Sequence, residues 1–121
     1  MNIKDLEKID SKKMYQTYDK WPEIAKNGFD SDFKKFDGKG IDHIVFSGMG
    51  GSGSIGDVIS AILSKEDIHV SNVKGYHLPK TVDSNSLVIA TSISGNTKET
   101  LAILEKAQKL MPKLLYFRLV V

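Results

Sequence analysis

The chain has 121 residues, 40% of them hydrophobic and 26% charged, with a formal net charge of only +2. That length and balance suit one globular domain with its own core, and the bases are interspersed with acids along the whole chain, so no nucleic-acid footprint stands out and no nucleic-acid partner is expected. The absence of cysteine excludes disulfides, a thiol nucleophile and cysteine-based zinc sites, and no apolar run approaches the roughly 18 residues of a membrane span, so a cytoplasmic protein with no membrane partner is expected.

Residues 3–20 carry Ile3, Leu6, Ile9, Tyr15 and Tyr18 among lysines and acids, a pattern that predicts an amphipathic helix. Trp21-Pro22 interrupts it, because the residue before proline is pushed away from the α region, and a weakly patterned second helix is expected from Pro22 to Phe36. Asp37-Gly38-Lys39-Gly40 is a turn signal. The run Ile41 to Ser47 reads as a strand buried on both faces, and Ser54 to Ser64 places Ile55, Val58, Ile59 and Ile62 at helical spacing. Asp67 to Val73 reads as a second strand, Leu87 to Thr91 as a third and Leu114 to Val121 as a fourth, with a helix from Thr97 to Leu110 between the last two. Strands alternating with helices imply an α/β fold with a parallel sheet and right-handed crossovers.

Two Gly/Ser clusters fall at the ends of strands: Gly48-Met49-Gly50-Gly51-Ser52-Gly53 after the first, and Ser92-Ile93-Ser94-Gly95-Asn96-Thr97 after the third. In open parallel sheets ligands sit beyond the carboxyl ends of the strands. Unpaired amides at each following helix start favour an anion, and Ser/Thr hydroxyls add neutral donors. A phosphate carried on a polar organic body is therefore the natural ligand. The first cluster also satisfies G-x-G-x-x-G through Gly48, Gly50 and Gly53, which taken alone suggests a dinucleotide turn. The acid that a nicotinamide site wants about 20 positions later is missing, because that neighbourhood reads Asn72-Val73-Lys74-Gly75. Lys74 could instead meet a 2′-phosphate. No Walker-type P-loop is present.

The second cluster, S-x-S-G-N-T, resembles the phosphate-gripping turn of the sugar isomerase (SIS) domain family. GMGGSGSIGD at 48–57 and SISGNTKETL at 92–101, with the WPE segment at 21–23, resemble the N-terminal half of the bifunctional phosphoglucose/phosphomannose isomerases. The similarity runs from about residue 15 to about residue 110. It implies a three-layer doubly wound parallel sheet, flavodoxin-like, with about four strands present and helices before them. Residues 1–40 would be the N-terminal helical segment and 41–121 a partial SIS domain, the second SIS domain of the family being absent. By match of position, the resemblance implies phosphate contacts at Gly50, Gly51, Ser52, Ser92, Ser94 and Thr97, a hexose 6-phosphate ligand, no cofactor, and a homodimer or larger assembly.

The family reaction interconverts glucose 6-phosphate or mannose 6-phosphate with fructose 6-phosphate through an enediol, which needs a general base and groups that steady an oxyanion. Family members take a glutamate, a histidine and a lysine from the second domain, and an arginine from the loop after the fourth strand of the first. These have no counterpart here, and Arg118 lies inside the final apolar run, so the expectation is a phosphate clamp without catalysis by this chain alone. The family's glycine-rich turn after the fourth strand is also missing, which fits a shortened chain or a change of reading frame near residue 111. Glu99 is expected to complement a helix dipole, Asp57 to be structural, His43 and His69 to be core or edge residues, and His77 to have the best chance among the histidines of lining the crevice. No metal-ligand spacing occurs, so no metal is expected. Two other readings stay open: a non-catalytic sugar-phosphate sensor, which usually carries a DNA-binding helix-turn-helix, and an NAD(P)-dependent oxidoreductase domain.

Overall fold

The computed structural model describes residues 3–32, 36–110 and 112–118. It falls into two compact units, Met1–Asp37 and Gly38–Val121.

The first unit holds three helices: α1 (Ile3–Ile9), α2 (Met14–Asp19) and α3 (Trp21–Asp30). The single helix expected over 3–20 is broken because Asp10 acts as a local cap. Its carboxylate accepts the Tyr15 backbone N–H at 2.9 Å, and Lys13 turns left-handed at φ 53°. Backbone donors at Met14 and Tyr15 hold the Asp10 carboxyl below its ordinary range. The expected interruption near Trp21-Pro22 falls at Lys20, between α2 and α3, and α3 opens on Trp21-Pro22, since proline in a first turn forfeits no helical hydrogen bond. α3 stops at Asp30, where Ser31 goes extended and its hydroxyl donates to the Gly28 carbonyl at 2.6 Å. The expected continuation to Phe36 crosses residues 33–35, which lie outside the described residues. Tyr18 and Trp21 meet edge to face at 4.8 Å. No residue of α2 or α3 is buried.

The second unit is a four-stranded sheet, β1 (His43–Ser47), β2 (His69–Val73), β3 (Ser86–Ser92) and β4 (Lys113–Arg118), in the order β2-β1-β3-β4. Every neighbouring pair is parallel. Of the fourth strand expected to reach Val121, residues 119–121 lie outside the described residues. The chain leaves β1 toward β2 through α4 (Gly51–Ile62) and a single 3-10 turn, then leaves β3 toward β4 through α5 (Lys98–Leu110). The two crossovers step in opposite directions, so the order reverses between β1 and β3.

Alternate residues of the strands face opposite helices. Val45 and Val88 are fully buried with Ile103 and Ala107 of α5, joined by Val82 from the β2–β3 connection. Phe46, one position on from Val45, faces α4, where a Cβ on Gly56 would come within 2.7 Å of the Phe46 Cβ. The apolar stripe read on α4 is only partly inward: Gly53 and Gly56 are buried and Ile59 is half-buried, while Ile55, Val58 and Ile62 are 49%, 60% and 69% exposed. The helix comes too close to the sheet for side chains at Gly53 and Gly56, so Val58 and Ile62 are left exposed, whereas Ile55 and the half-buried Ile59 stand beside the sheet. On that side of the sheet, Ile44, Phe46, Ile89, Leu115 and Phe117 line an apolar hollow of about 620 Å³ beside Ile55 and Ile59.

Candidate functional site

Both Gly/Ser loops lie at the carboxyl ends of the adjacent strands β1 and β3, on either side of the point where the strand order reverses. The first is a tight backbone turn. Ser52 N–H donates to the Met49 carbonyl at 3.2 Å and Gly53 N–H to the Gly50 carbonyl at 3.0 Å. Among the described residues the amides of Met49 and Gly50 take no backbone acceptor, and Gly51, as the first helical residue, leaves its amide at the open helix end. Gly50 and Gly51 are exposed and Ser52 is half-buried. Of the three first-loop positions expected to meet phosphate, Gly50 and Gly51 thus present amides, whereas Ser52 presents its hydroxyl.

The second loop is held by side chains. Ser92 is 4% exposed, and its hydroxyl accepts the Gly95 N–H at 3.1 Å and lies 2.9 Å from the Thr97 hydroxyl. Ser94 Oγ accepts the Asn96 N–H at 3.2 Å and lies 3.4 Å from Thr97 Oγ1. Gly95 takes φ 70°, a region that disfavours side chains. Its carbonyl accepts the Tyr116 hydroxyl at 3.1 Å, so β4 buttresses the turn. Ser92 is therefore buried and braces the loop, while the exposed Ser94 and half-buried Thr97 stand at its surface.

The loops meet at a hollow of about 210 Å³ lined by Ser52, Ile55, Thr91, Ser92, Ile93, Phe117 and Arg118; of the expected phosphate contacts, Gly50, Gly51, Ser94 and Thr97 are not among its lining residues. Reading Arg118 as part of an apolar run missed this placement. The register pairs Ser92 with Arg118, which brings the guanidinium to the carboxyl end of the sheet beside the second loop. A Cβ on Gly95 would lie 3.2 Å from Arg118 Cδ, so the arginine stem rests on the turn. The strand register is the signal that could have found it.

The remaining polar candidates lie elsewhere. Lys74 pairs with Asp57 at 2.6 Å, and Asn72 donates to the same carboxylate at 3.0 Å, which ties β2 to α4. Glu99 faces Tyr76, whose hydroxyl is pushed up first by desolvation and then by that carboxylate. His77 lines a separate hollow over the β2–β3 connection with Lys74, Tyr76 and Pro79. His43 is buried, with Nε2 at 2.9 Å from the Ser71 hydroxyl, which also lies 3.0 Å from His69 Nε2. Burial, then the neighbouring His69, lowers the His43 pKa. Among the described residues no group of three or more His, Cys, Asp or Glu could hold a metal, and no helix is long and apolar enough to cross a membrane.

This chain is similar to several characterised proteins. It is 46% identical over 67 residues to a bifunctional phosphoglucose/phosphomannose isomerase of Thermoplasma acidophilum, covering 55% of this chain and 21% of that protein. Over 89 residues it is 43% identical to the Aquifex aeolicus protein of the same name, covering 72% of this chain and 25% of the relative. A D-glucosamine-6-phosphate 4-epimerase of Sulfolobus acidocaldarius is 34% identical over 97 residues, covering 80% of this chain and 30% of the relative. The chain thus spans between about a fifth and a third of the length of these curated relatives. Among solved structures, a protein assigned as a phosphosugar isomerase from Salmonella typhimurium LT2 superposes with a TM-score of 0.60 at 28% identity, over 64% of this chain and 25% of that one. The SIS domain profile matches residues 40–117, which take in both loops and all of the sheet but Arg118, and the chain belongs to the SIS domain family.

Proposed function

We propose that this chain is the phosphate-gripping SIS module of an aldose–ketose isomerase that interconverts glucose 6-phosphate or mannose 6-phosphate with fructose 6-phosphate. The observation that carries the reading is the convergence of the two loops, with Ser52 and Ser92 lining one hollow at the carboxyl ends of β1 and β3. The amides of Gly50 and Gly51 and the hydroxyls of Ser52, Ser94 and Thr97 donate to the phosphate, and Ser92 holds the second loop in shape. Arg118 supplies the positive charge that these neutral donors lack. Relatives named as phosphoglucose/phosphomannose isomerases and as a D-glucosamine-6-phosphate epimerase all act on phosphorylated sugars by name, which supports a grip on the phosphate shared across different sugar chemistries. Among the described residues, those lining the hollow include no carboxylate and no imidazole, which supports a module that binds substrate and leaves proton transfer to groups outside it. The protein works in the cytoplasm, without a cofactor, as a homodimer or larger assembly.

A thermal-shift titration tests the reading, since a ligand that binds only the native state raises the melting temperature. Fructose 6-phosphate raises it, unphosphorylated fructose and NADP do not, and Ser94→Ala removes the response. A shift with NADP in place of fructose 6-phosphate would overturn the proposal.

A further inference from the structure

We propose that Thr91 is the positioning residue that sets the first loop against the second, and that it does so through its hydroxyl rather than its methyl. The inference rests on the phosphate-binding reading of the two loops and adds a residue that neither loop motif contains.

Thr91 belongs to β3 and immediately precedes Ser92, yet its side chain reaches the other loop. Its Oγ1 lies 3.0 Å from the Ser52 carbonyl oxygen and 3.4 Å from that of Ser47. Ser47 ends β1 and Ser52 stands in the first turn of α4, so one hydroxyl spans both ends of the Gly48–Gly51 turn. The single proton goes to the nearer acceptor, Ser52, whose carbonyl has a second lone pair for its helical bond. The fit is close: a Cβ on Gly48 would come within 2.7 Å of Thr91 Oγ1. Thr91 also lines the hollow where the loops meet. A threonine at a strand end is ordinarily there for its β-branched shape. Here the methyl could equally be packing toward Phe117 and Ile55, which line both the small hollow and the apolar one beside it. The two explanations differ in which atom matters.

If the hydroxyl is the strut, the Gly50 and Gly51 amides keep their aim only while Thr91 holds Ser52. Removing it leaves the second loop intact and lets the first drift, so the two halves of the clamp no longer converge on one phosphate. The effect falls on affinity, because the loop's own turn hydrogen bonds do not involve Thr91.

The test is isothermal titration of the full chain with fructose 6-phosphate, beside melting temperatures without ligand. Thr91→Val keeps the shape and loses the hydroxyl; it should weaken binding roughly five- to tenfold, the loss of one hydrogen bond. Thr91→Ser keeps the hydroxyl, loses only the methyl, and should bind within about twofold of wild type, a rescue that a packing role does not give. If Thr91→Ser loses affinity as Thr91→Val does, or Thr91→Val binds like wild type, the strut is overturned while the phosphate reading stands. If the wild-type chain itself ignores fructose 6-phosphate, the phosphate reading fails and this inference with it.

Discussion

The two loops stand side by side at the same edge of the sheet and are built on opposite principles. The first is shaped by missing side chains: α4 and the turn before it come so close that a Cβ on Gly53 would meet the Gly48 carbonyl oxygen at 2.5 Å. The second is shaped by side chains that are present, with Ser92, Ser94 and Thr97 bonded to one another and to the backbone of Gly95 and Asn96. The first loop therefore keeps backbone amides open, whereas the second has closed two of its amides with its own hydroxyls. An anion between them would meet backbone dipoles from one side and hydroxyl protons from the other. A serine in such a loop is accordingly not one kind of residue. Some serines hold the loop and others stand at its open surface.

Substitutions can break that contrast, the largest effect coming first. Gly53→Ala drives a methyl group into backbone that has no rotamer to yield, and should destabilise the fold by about 3 kcal/mol, read as a drop in the urea midpoint, with binding lost as well. Ser92→Ala orphans the buried Gly95 amide and should cost about 1–2 kcal/mol by the same measurement, weakening fructose 6-phosphate binding only as the turn loosens. Away from both loops, protonation of His43 offers a control. Its folded pKa lies below the unfolded value of about 6.5, so the unfolded chain binds more protons between the two values. Stability should be constant above neutral pH, fall as pH drops through about 6.5, and level off below the folded pKa; His43→Asn should flatten a melting profile taken across that range. Smallest on stability is Ser94→Ala, expected within about 0.5 kcal/mol because the side chain is exposed, although affinity for fructose 6-phosphate falls. If Ser92→Ala and Ser94→Ala lowered stability equally, the division between holding and surface serines would be wrong.

Much of the second unit could be read from its residues. β1 and β3 are short β-branched runs that end where Gly/Ser clusters begin, and the structure places both clusters at one edge. The helices were less legible. The stripe of Ile55, Val58, Ile59 and Ile62 has the period of a buried face, but only Ile59 is even half-buried, because Gly53 and Gly56 make the close approach to the sheet. The break in the first helix depends on one carboxylate folding back to the Tyr15 amide, which periodicity does not register. Arg118 and Thr91 stayed hidden for another reason. Their places follow from register and from contacts across strands, and the one-dimensional pattern around each says only that it sits in an extended apolar run.

That dependence on register bears on how the protein assembles itself. His43 pairs with Ser86, and Ser92 with Arg118, so no stretch of neighbouring residues contains a rudiment of the hollow. Each loop acquires its counterpart only after distant strands have found one another, which is the slow part of building a parallel sheet. A sugar phosphate then has nothing to hold until that search is over. It should leave the refolding rate unchanged and slow unfolding instead, lengthening the life of the native chain without guiding its formation.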